Sequence, residues 1–163
     1  MAIKNPFKRQ LTMAPRLQRL SGLSLFAGLT RGELRIIDGM LHQRDYLDGE
    51  VVFDEGEEGQ ALYIILEGAI EIRRQLAEEG VVLSVLKGGA FFGDMALLDA
   101  APRSAQARAA SSCSLAVFFR EDFLGLMDTH ARIASKISLQ IARQMGARVR
   151  QSAGERSPVR QQL

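Results

Sequence analysis

Short apolar segments separated by turns recur about every ten residues between residues 46 and 119, and this spacing constrains the fold most strongly. The turns between them contain glycine, as in Asp48-Gly49 and Glu67-Gly68. Evenly spaced short strands are typical of antiparallel sandwiches and barrels. We therefore predict a mainly β chain that folds as an antiparallel jelly-roll β-barrel with flanking helices. The predicted strands cover residues 46–47, 51–53, 62–66, 69–76, 81–86, 105–109 and 113–119, with a hairpin turn at residues 78–80.

Helical patterns lie on both sides of the predicted strands. Thr30 and Glu33 have the spacing of a capping box, and the apolar residues that follow predict a helix that ends near His42. A short helix is predicted over residues 121–127. A longer one follows, in which an apolar residue recurs every fourth position, at Ile133, Ile137, Ile141, Met145 and Val149. This stripe fits either packing on the barrel of its own chain or pairing with the same helix of a second subunit, and both alternatives remain open.

The net charge of +2 conceals a strong segregation of charge along the chain. Residues 1–35 and residues 132–163 each contain seven basic residues and one acidic residue, whereas residues 36–131 contain seven basic and 17 acidic residues. Basic ends can bind a polyanion such as nucleic acid or an acidic partner. More often they solvate the chain or lie against its own acidic body.

A length of 163 residues predicts one domain with short extensions. We expect a basic N-terminal arm over residues 1–22, a folded domain over residues 23–151 and a disordered basic tail over residues 152–163. Cys113 is the only cysteine, so no disulfide forms within the chain. The sequence has no run of 18 apolar residues, which excludes a membrane-spanning helix, and a cytoplasmic location is expected.

The segment from Gly88 to Ala105 interrupts the strand pattern and contains the residues suited to a ligand. Its glycines allow close approach of the backbone, and residues 94–98 can form one helical turn with free N–H groups. Arg103 follows Pro102, and a guanidinium group can bind two phosphate oxygens at once. These residues predict a phosphate site. The alternative is that Arg103 only forms an ion pair with Asp99.

Three motifs in this order resemble the cyclic nucleotide-binding domain family. They are LDGEVVFDEGE at residues 47–57, LYIILEG at residues 62–68, and FGDMALL with PRSA at residues 92–98 and 102–105. The resemblance extends from about Leu23 to Gln151. It implies an eight-stranded jelly roll around a cyclic nucleotide, with a phosphate-binding cassette at residues 92–105.

By this resemblance, Arg103 pairs with the cyclic phosphate, backbone amides around Ala96, Ser104 and Ala105 support it, and Gly93 contacts the ribose. The family usually has glutamate where this chain has Asp94, which is one methylene shorter and is expected to weaken the ribose contact. Ser104 favours cAMP over cGMP. The expected ligand-binding residues are Phe92, Gly93, Asp94, Met95, Ala96, Arg103, Ser104 and Ala105. In this family the last helix often contacts the base, and the candidates there are Ser135, Lys136 and Ser138.

Catalysis is not expected, because His42 and His130 are the only histidines and are far apart in the sequence, and Cys113 has the apolar neighbours of a core thiol. The residues after 151 are too few for a helix-turn-helix domain, so sequence-specific DNA binding is not expected. The main hypothesis is a stand-alone bacterial sensor of the catabolite-activator type that binds a cyclic nucleotide and acts through an unknown protein effector. It is expected to form a homodimer through the segment from Ala131 to Val149. The alternative hypothesis is a degenerate domain that lost its ligand and serves as an interaction module.

Overall fold

The computed structural model describes residues 14–75 and 80–155. Most of the predicted N-terminal arm, most of the predicted hairpin turn at residues 78–80, and residues 156–163 of the predicted tail lie outside the described residues. The strands in the described ranges form two four-stranded antiparallel sheets with the orders β1-β8-β3-β6 and β2-β7-β4-β5. Their bounds are β1 His42–Tyr46, β2 Val51–Phe53, β3 Ala61–Glu67, β4 Ala69–Arg74, β5 Val81–Lys87, β6 Phe91–Phe92, β7 Gln106–Ala109 and β8 Cys113–Phe119.

The prediction of a mainly β, jelly-roll fold is confirmed, and the two sheets face each other across an apolar core. Strands β3 and β8 pair in the middle of the first sheet and are buried along most of their length. In the second sheet, β7 buries Ala107 and Ala109 and turns its other side chains outward, as its period of two predicts. The residues shared by the two inner faces include Phe53, Ile65, Ile70, Phe92 and Leu115.

Helices cover the remaining face of the first sheet. Their bounds are α1 Pro15–Ser21, α2 Arg31–Asp38, α3 Met95–Leu98, α4 Arg120–Thr129 and α5 Ala131–Glu155, with a 3₁₀ turn at Ser24–Phe26. The capping box is present, because the Thr30 side chain accepts a hydrogen bond from the Glu33 amide and the Glu33 carboxylate accepts one from the Thr30 amide. Helix α2 ends at Asp38, earlier than expected, so His42 starts β1 and packs edge-on against Phe119.

Helical structure extends beyond the expected bounds of the folded domain at both ends. Helix α1 lies within the predicted arm, yet Leu17 and Leu20 are buried in the core cluster that also contains Leu34 and Phe118. The ordered domain therefore begins before residue 23. At the other end, α5 continues to Glu155 through residues that were expected to belong to the disordered tail. Polar residues continue this helix because backbone hydrogen bonds propagate from its anchored first half.

Helix α5 packs on its own chain along its first half, where Ile133, Ala134, Ile137 and Ile141 are buried. Val149, at the end of the predicted stripe, is 69% exposed. Packing on the same chain therefore accounts for the start of the stripe and leaves its end uncovered. No helix in the described parts of the chain is both long enough and apolar enough to cross a membrane.

Candidate functional site

A cavity of about 370 Å³ lies between the cassette at residues 92–105 and the β4–β5 wall of the second sheet. The expected ligand-binding residues all line this cavity, although they come from β6, α3 and the loop before β7. They are Phe92, Gly93, Asp94, Met95, Ala96, Arg103, Ser104 and Ala105. The structure thus brings together two groups of residues, 92–96 and 103–105, that are separated by residues 97–102 in the sequence. Their roles toward a ligand stay predictions.

Arg103 lies at the centre of this site and is only 9% exposed. Its Nη2 donates a hydrogen bond to the Ala61 carbonyl oxygen at 2.8 Å, and its Nη1 donates one to the Gly93 carbonyl oxygen at 3.3 Å. The guanidinium carbon lies 4.0 Å from the centre of the Phe53 ring and 5.7 Å from that of Tyr63. Aromatic faces and carbonyl oxygens stabilise a cation without neutralising it.

The Arg103 guanidinium has no ion-pair partner among the described residues. The alternative that Arg103 pairs with Asp99 is wrong, because the Asp99 carboxylate accepts a hydrogen bond from the Ala101 amide instead. Burial lowers the pKa of Arg103 below its usual value, and arginine nevertheless stays charged at neutral pH. Its Nε is enclosed and has no hydrogen-bond partner in the described part of the chain. Tyr63 and Glu57 offset part of the cost of burying this cation, but no carboxylate forms an ion pair with it among the described residues. The site is therefore suited to an anionic ligand.

Two glycines make room for the Arg103 side chain. Gly93 has a φ of +70°, and a Cβ atom there would lie 2.6 Å from Nη1 of Arg103. A Cβ atom at Gly59 would lie 2.9 Å from the Ala96 Cβ and 3.3 Å from the guanidinium carbon. Gly93 is part of the motif that was recognised in the sequence. Gly59 was missed, because it lies far from the cassette in the chain and only the fold brings it to Arg103.

The predicted helical turn is present as α3, which begins directly after Asp94. In this structure the Ala96 amide donates a hydrogen bond to the Gly93 carbonyl oxygen at 3.2 Å, and the Leu97 amide donates one to the Asp94 carbonyl oxygen at 3.1 Å. The Ala96 amide is therefore engaged within the turn, and its predicted contact with phosphate requires a shared or rearranged hydrogen bond.

Asp94 is 2% exposed, and its partner in the structure is Arg148 on α5. Nη1 of Arg148 lies 3.0 Å and 3.2 Å from the two carboxylate oxygens of Asp94. Nearby, the Gln144 side chain donates a hydrogen bond to the Phe91 carbonyl oxygen. The second half of α5 is thus tied to the cassette by polar contacts. Sequence reasoning missed Arg148, because seven basic residues between 132 and 163 gave no reason to single it out.

The wall opposite the cassette is formed by side chains that the sequence analysis did not select, namely Ile72, Arg74, Leu83, Ser84 and Leu86. The three candidates for base contact on the last helix do not line this cavity. Lys136 forms an ion pair with Glu33 at 2.7 Å and also donates to the Gly28 carbonyl oxygen. Ser135 and Ser138 line a separate shallow groove beside Leu139. Within one chain these residues lie outside the cavity, and their contact with the base stays a prediction.

Other groups with catalytic potential are placed apart from the cavity. Cys113 is buried, and burial raises the pKa of its thiol, as expected for a core residue. In residues 14–75 and 80–155, no three histidine, cysteine, aspartate or glutamate side chains cluster in a way that could hold a metal ion. The acidic turn at residues 54–58 is largely exposed.

The two antiparallel sheets thus enclose a cavity beside a buried arginine, an arrangement suited to an anionic ligand. The sequence profile of the family described as cyclic nucleotide-binding domain matches residues 43–130, and the chain belongs to this family. It therefore carries a cyclic nucleotide-binding regulatory domain, as its resemblance to the family indicates.

Several known proteins are similar to this chain. The cyclic AMP receptor protein of Thermus thermophilus is 34% identical over 127 residues, which are 77% of this chain and 59% of the relative. The crystal structure of the Thermus thermophilus catabolite activator protein matches with a TM-score of 0.73 and 32% identity, covering 81% of this chain and 61% of that one. The regulatory domain of Toxoplasma gondii PKA with cAMP matches with a TM-score of 0.61 and 28% identity, covering 67% and 42%. This chain thus spans less than two thirds of each relative.

Proposed function

We propose that this protein is a regulatory sensor that binds cAMP in the cavity around Arg103 and passes the signal to a partner protein. The observation that carries the proposal is the buried Arg103 guanidinium, which forms no ion pair among the described residues and borders an open cavity. A cyclic phosphate carries one negative charge and acceptor oxygens that match the guanidinium donors. The protein is a binding module and catalyses no reaction in this proposal.

The preference for cAMP has two supports. Ser104, which follows the arginine, lines the cavity and provides a small side chain with a hydroxyl group. The names of two similar proteins also refer to cAMP, one as its receptor and one as a regulatory domain with cAMP. The cytoplasmic location expected from the sequence stays a prediction.

The contact between Asp94 and Arg148 provides a route for the signal in this proposal. A ribose hydroxyl that donates a hydrogen bond to the Asp94 carboxylate competes with Arg148, through which this carboxylate holds α5. Ligand binding then changes how the second half of α5 is held on the cassette, and this changes the surface available to a partner. The proposal includes a homodimer formed through the segment from Ala131 to Val149.

A second candidate function is an interaction module without a ligand. It is favoured by the same contact, because Arg148 occupies both oxygens of the carboxylate that the resemblance assigns to the ribose. In this case Arg103 binds no ligand, and the α5 surface alone has a function, which is to bind a partner.

Titration calorimetry with cAMP separates the two candidates. We expect the wild-type chain to bind cAMP and Arg103→Gln to bind at least about tenfold more weakly, because a charge-assisted contact is lost. Arg35→Gln is the matched control, since Arg35 is exposed on α2 and its replacement removes the same charge. Thermal unfolding of each variant shows that it is folded. No heat of binding in a folded wild-type protein would favour the interaction module.

A further inference from the structure

The segment from Phe53 to Gly59 contacts Arg103 along both its main chain and its side chain. It consists of the last residue of β2 and the acidic turn that follows it. The Arg103 amide donates a hydrogen bond to the Glu57 carbonyl oxygen at 2.7 Å, and the Gly56 amide donates one to the Arg103 carbonyl oxygen at 2.8 Å. One turn therefore holds both polar groups of the Arg103 main chain.

Phe53 provides the aromatic face that lies against the guanidinium group. The guanidinium carbon is 4.0 Å from the centre of the Phe53 ring, which is closer than its distance of 5.7 Å from Tyr63. The negative face of an aromatic ring attracts a cation, and the attraction is strongest where water is excluded. Phe53 and Arg103 are 8% and 9% exposed, so their contact is shielded from water. A leucine in place of Phe53 would be apolar but would lack this negative face.

The Phe53 ring is itself supported by the core between the two sheets. Its centre lies 5.6 Å from the Tyr63 ring and 5.9 Å from the Phe92 ring. Tyr63 and Phe92 stack on each other across β3 and β6 of the first sheet, whereas Phe53 belongs to the second sheet. Because rings from both sheets support it, Phe53 offers the guanidinium group a fixed surface.

The contact with Phe53 leaves the hydrogen-bond donors of Arg103 available. A guanidinium group has five N–H donors, and the carbonyl oxygens of Ala61 and Gly93 take one from each Nη. The ring covers a face of the group and uses none of the donors. Phe53 and Arg103 both line the cavity of the candidate site. The ring can therefore fix the cation without blocking the N–H groups that bind an anion.

We infer that Phe53 is a positioning residue for ligand binding: its ring holds the Arg103 guanidinium group in place before an anionic ligand enters the cavity. A side chain that is already held loses less conformational entropy when the ligand binds. The effect on a nucleotide rests on the proposed function, whereas the positioning is a property of the chain without ligand. The sequence predicted Phe53 only as a strand residue, because its contact with Arg103 forms through the fold.

Hydrogen exchange measured by NMR tests the positioning in the chain without nucleotide. Phe53→Leu should accelerate exchange of the Arg103 Nε–H with water by about tenfold, because the guanidinium group is no longer held and shielded. Phe53→Tyr retains an aromatic face and should largely retain the slow exchange. Phe123→Leu is the matched control, since it removes a buried ring from the core cluster on the helical side. The Arg103 signal is identified by its loss in Arg103→Gln.

Calorimetry with cAMP on the same variants tests the effect on the ligand. We expect Phe53→Leu to bind about fivefold more weakly than the wild type, and Phe53→Tyr to bind within about twofold of it. Phe123→Leu should bind as the wild type does, although it lowers the free energy of unfolding. Thermal unfolding shows that each variant is folded. If Phe53→Leu does not fold, Phe53→Met replaces it, because methionine also lacks an aromatic face and adapts to irregular gaps in a core.

Three results would overturn the inference. Unchanged exchange of the Arg103 Nε–H in the folded Phe53→Leu chain would show that the ring does not hold the guanidinium group, and weaker cAMP binding would then come from direct contact with the ligand. Faster exchange with unchanged cAMP affinity would show that the positioning does not serve binding. Equal effects of Phe53→Leu and Phe123→Leu would assign both rings a role in the core alone. A wild-type chain that binds no cAMP contradicts the proposed function, and the exchange measurement still shows whether Phe53 holds Arg103.

Discussion

Arg103 is the residue on which the site depends, and its surroundings come from three separate parts of the chain. Phe53, Gly59, Ala61 and Gly93 each lie in contact with its guanidinium group or make room for it. Two carbonyl oxygens and an aromatic face hold the cation in place but do not neutralise it. The Arg103 side chain is therefore already ordered before a ligand binds, which reduces the conformational entropy lost on binding.

The prediction at Gly93 separates backbone strain from loss of space. Gly93→Ala forces an alanine into a φ of +70° and places its Cβ 2.6 Å from Nη1 of Arg103. Gly49→Ala imposes a similar strain at a φ of +84°, but nothing lies within 4 Å of its Cβ. Urea unfolding should show a loss of about 1 kcal/mol at Gly49, and a clearly larger loss of about 2–3 kcal/mol at Gly93. Equal losses would mean that the Gly93 backbone, and not the Arg103 contact, sets the requirement for glycine.

The part of the site that is contiguous in the sequence could be predicted, whereas the residues that join it from elsewhere in the chain could not. Gly93, Asp94 and Arg103 belong to one motif, so their order and spacing are visible in the chain. Gly59 and Arg148 lie far from this motif in the sequence, and only the fold brings them to the same site. A glycine in a turn or an arginine in a basic helix does not by itself indicate a binding site. Asp94 was interpreted from the sequence as a ribose contact that is one methylene shorter than the usual glutamate. In the structure its carboxylate contacts Arg148 on α5 instead.

At the scale of elements, most strands were predictable because turn residues bound them. The first strand was expected at residues 46–47, but β1 spans His42–Tyr46, where its polar and largely exposed residues show no apolar pattern. Strand β6 was missed, since two residues are too few for a period to appear. The end of α2 was placed too late, because Met40 and Leu41 continue its apolar pattern beyond Gly39, where the helix stops. Local pattern thus predicts the kind of element, whereas tertiary packing decides where each one ends.

A pH-dependent contact joins α2 to α5. The Lys136 ammonium group lies 2.7 Å from the Glu33 carboxylate, and this hydrogen bond lowers the pKa of Glu33 below its usual value of 4.5. Because the pKa is lower in the folded than in the unfolded state, the contact stabilises the fold above the usual pKa. This stabilisation is lost as the pH falls through the folded-state value.

Glu33→Gln should therefore lower the free energy of unfolding at pH 7, and the difference from wild type should shrink as the pH falls below about 4.5. Glutamine can still accept the hydrogen bond from the Thr30 amide, so the capping box is largely kept. The measurement is urea unfolding at pH 7, 5 and about 3. Glu58→Gln, at an exposed position outside this contact, is the control for the change in net charge. A difference that is independent of pH would contradict the assignment of the effect to the Glu33 carboxylate.

At the scale of the whole molecule, α5 has one side against the core and another that is uncovered. The uncovered side lines a shallow groove with Met127, Ala134, Ser138 and Leu139, of which Leu139 is 50% exposed. Small residues in this groove allow close approach of another helix. The predicted homodimer would cover this surface.

If the chain forms this homodimer, a substitution at the α5 surface should halve the mass measured in solution. Light scattering should give twice the chain mass for the wild type, and Leu139→Glu should give a monomer, because a buried carboxylate at the helix interface lacks a partner. Leu47→Glu, which changes a 67% exposed leucine in the turn between β1 and β2, should remain dimeric. A monomeric wild-type chain at high concentration would show that the α5 surface does not pair with a second copy.

The most direct test of the central claim is to follow the guanidinium N–H signals of Arg103 by NMR during a cAMP titration. We expect these signals to shift as cAMP saturates the site, because an anionic oxygen joins a cation that has no ion-pair partner in the described residues. The Gly93 amide should shift in parallel. Binding of cAMP that leaves the Arg103 signals unchanged, or the absence of binding to a folded chain, would contradict it.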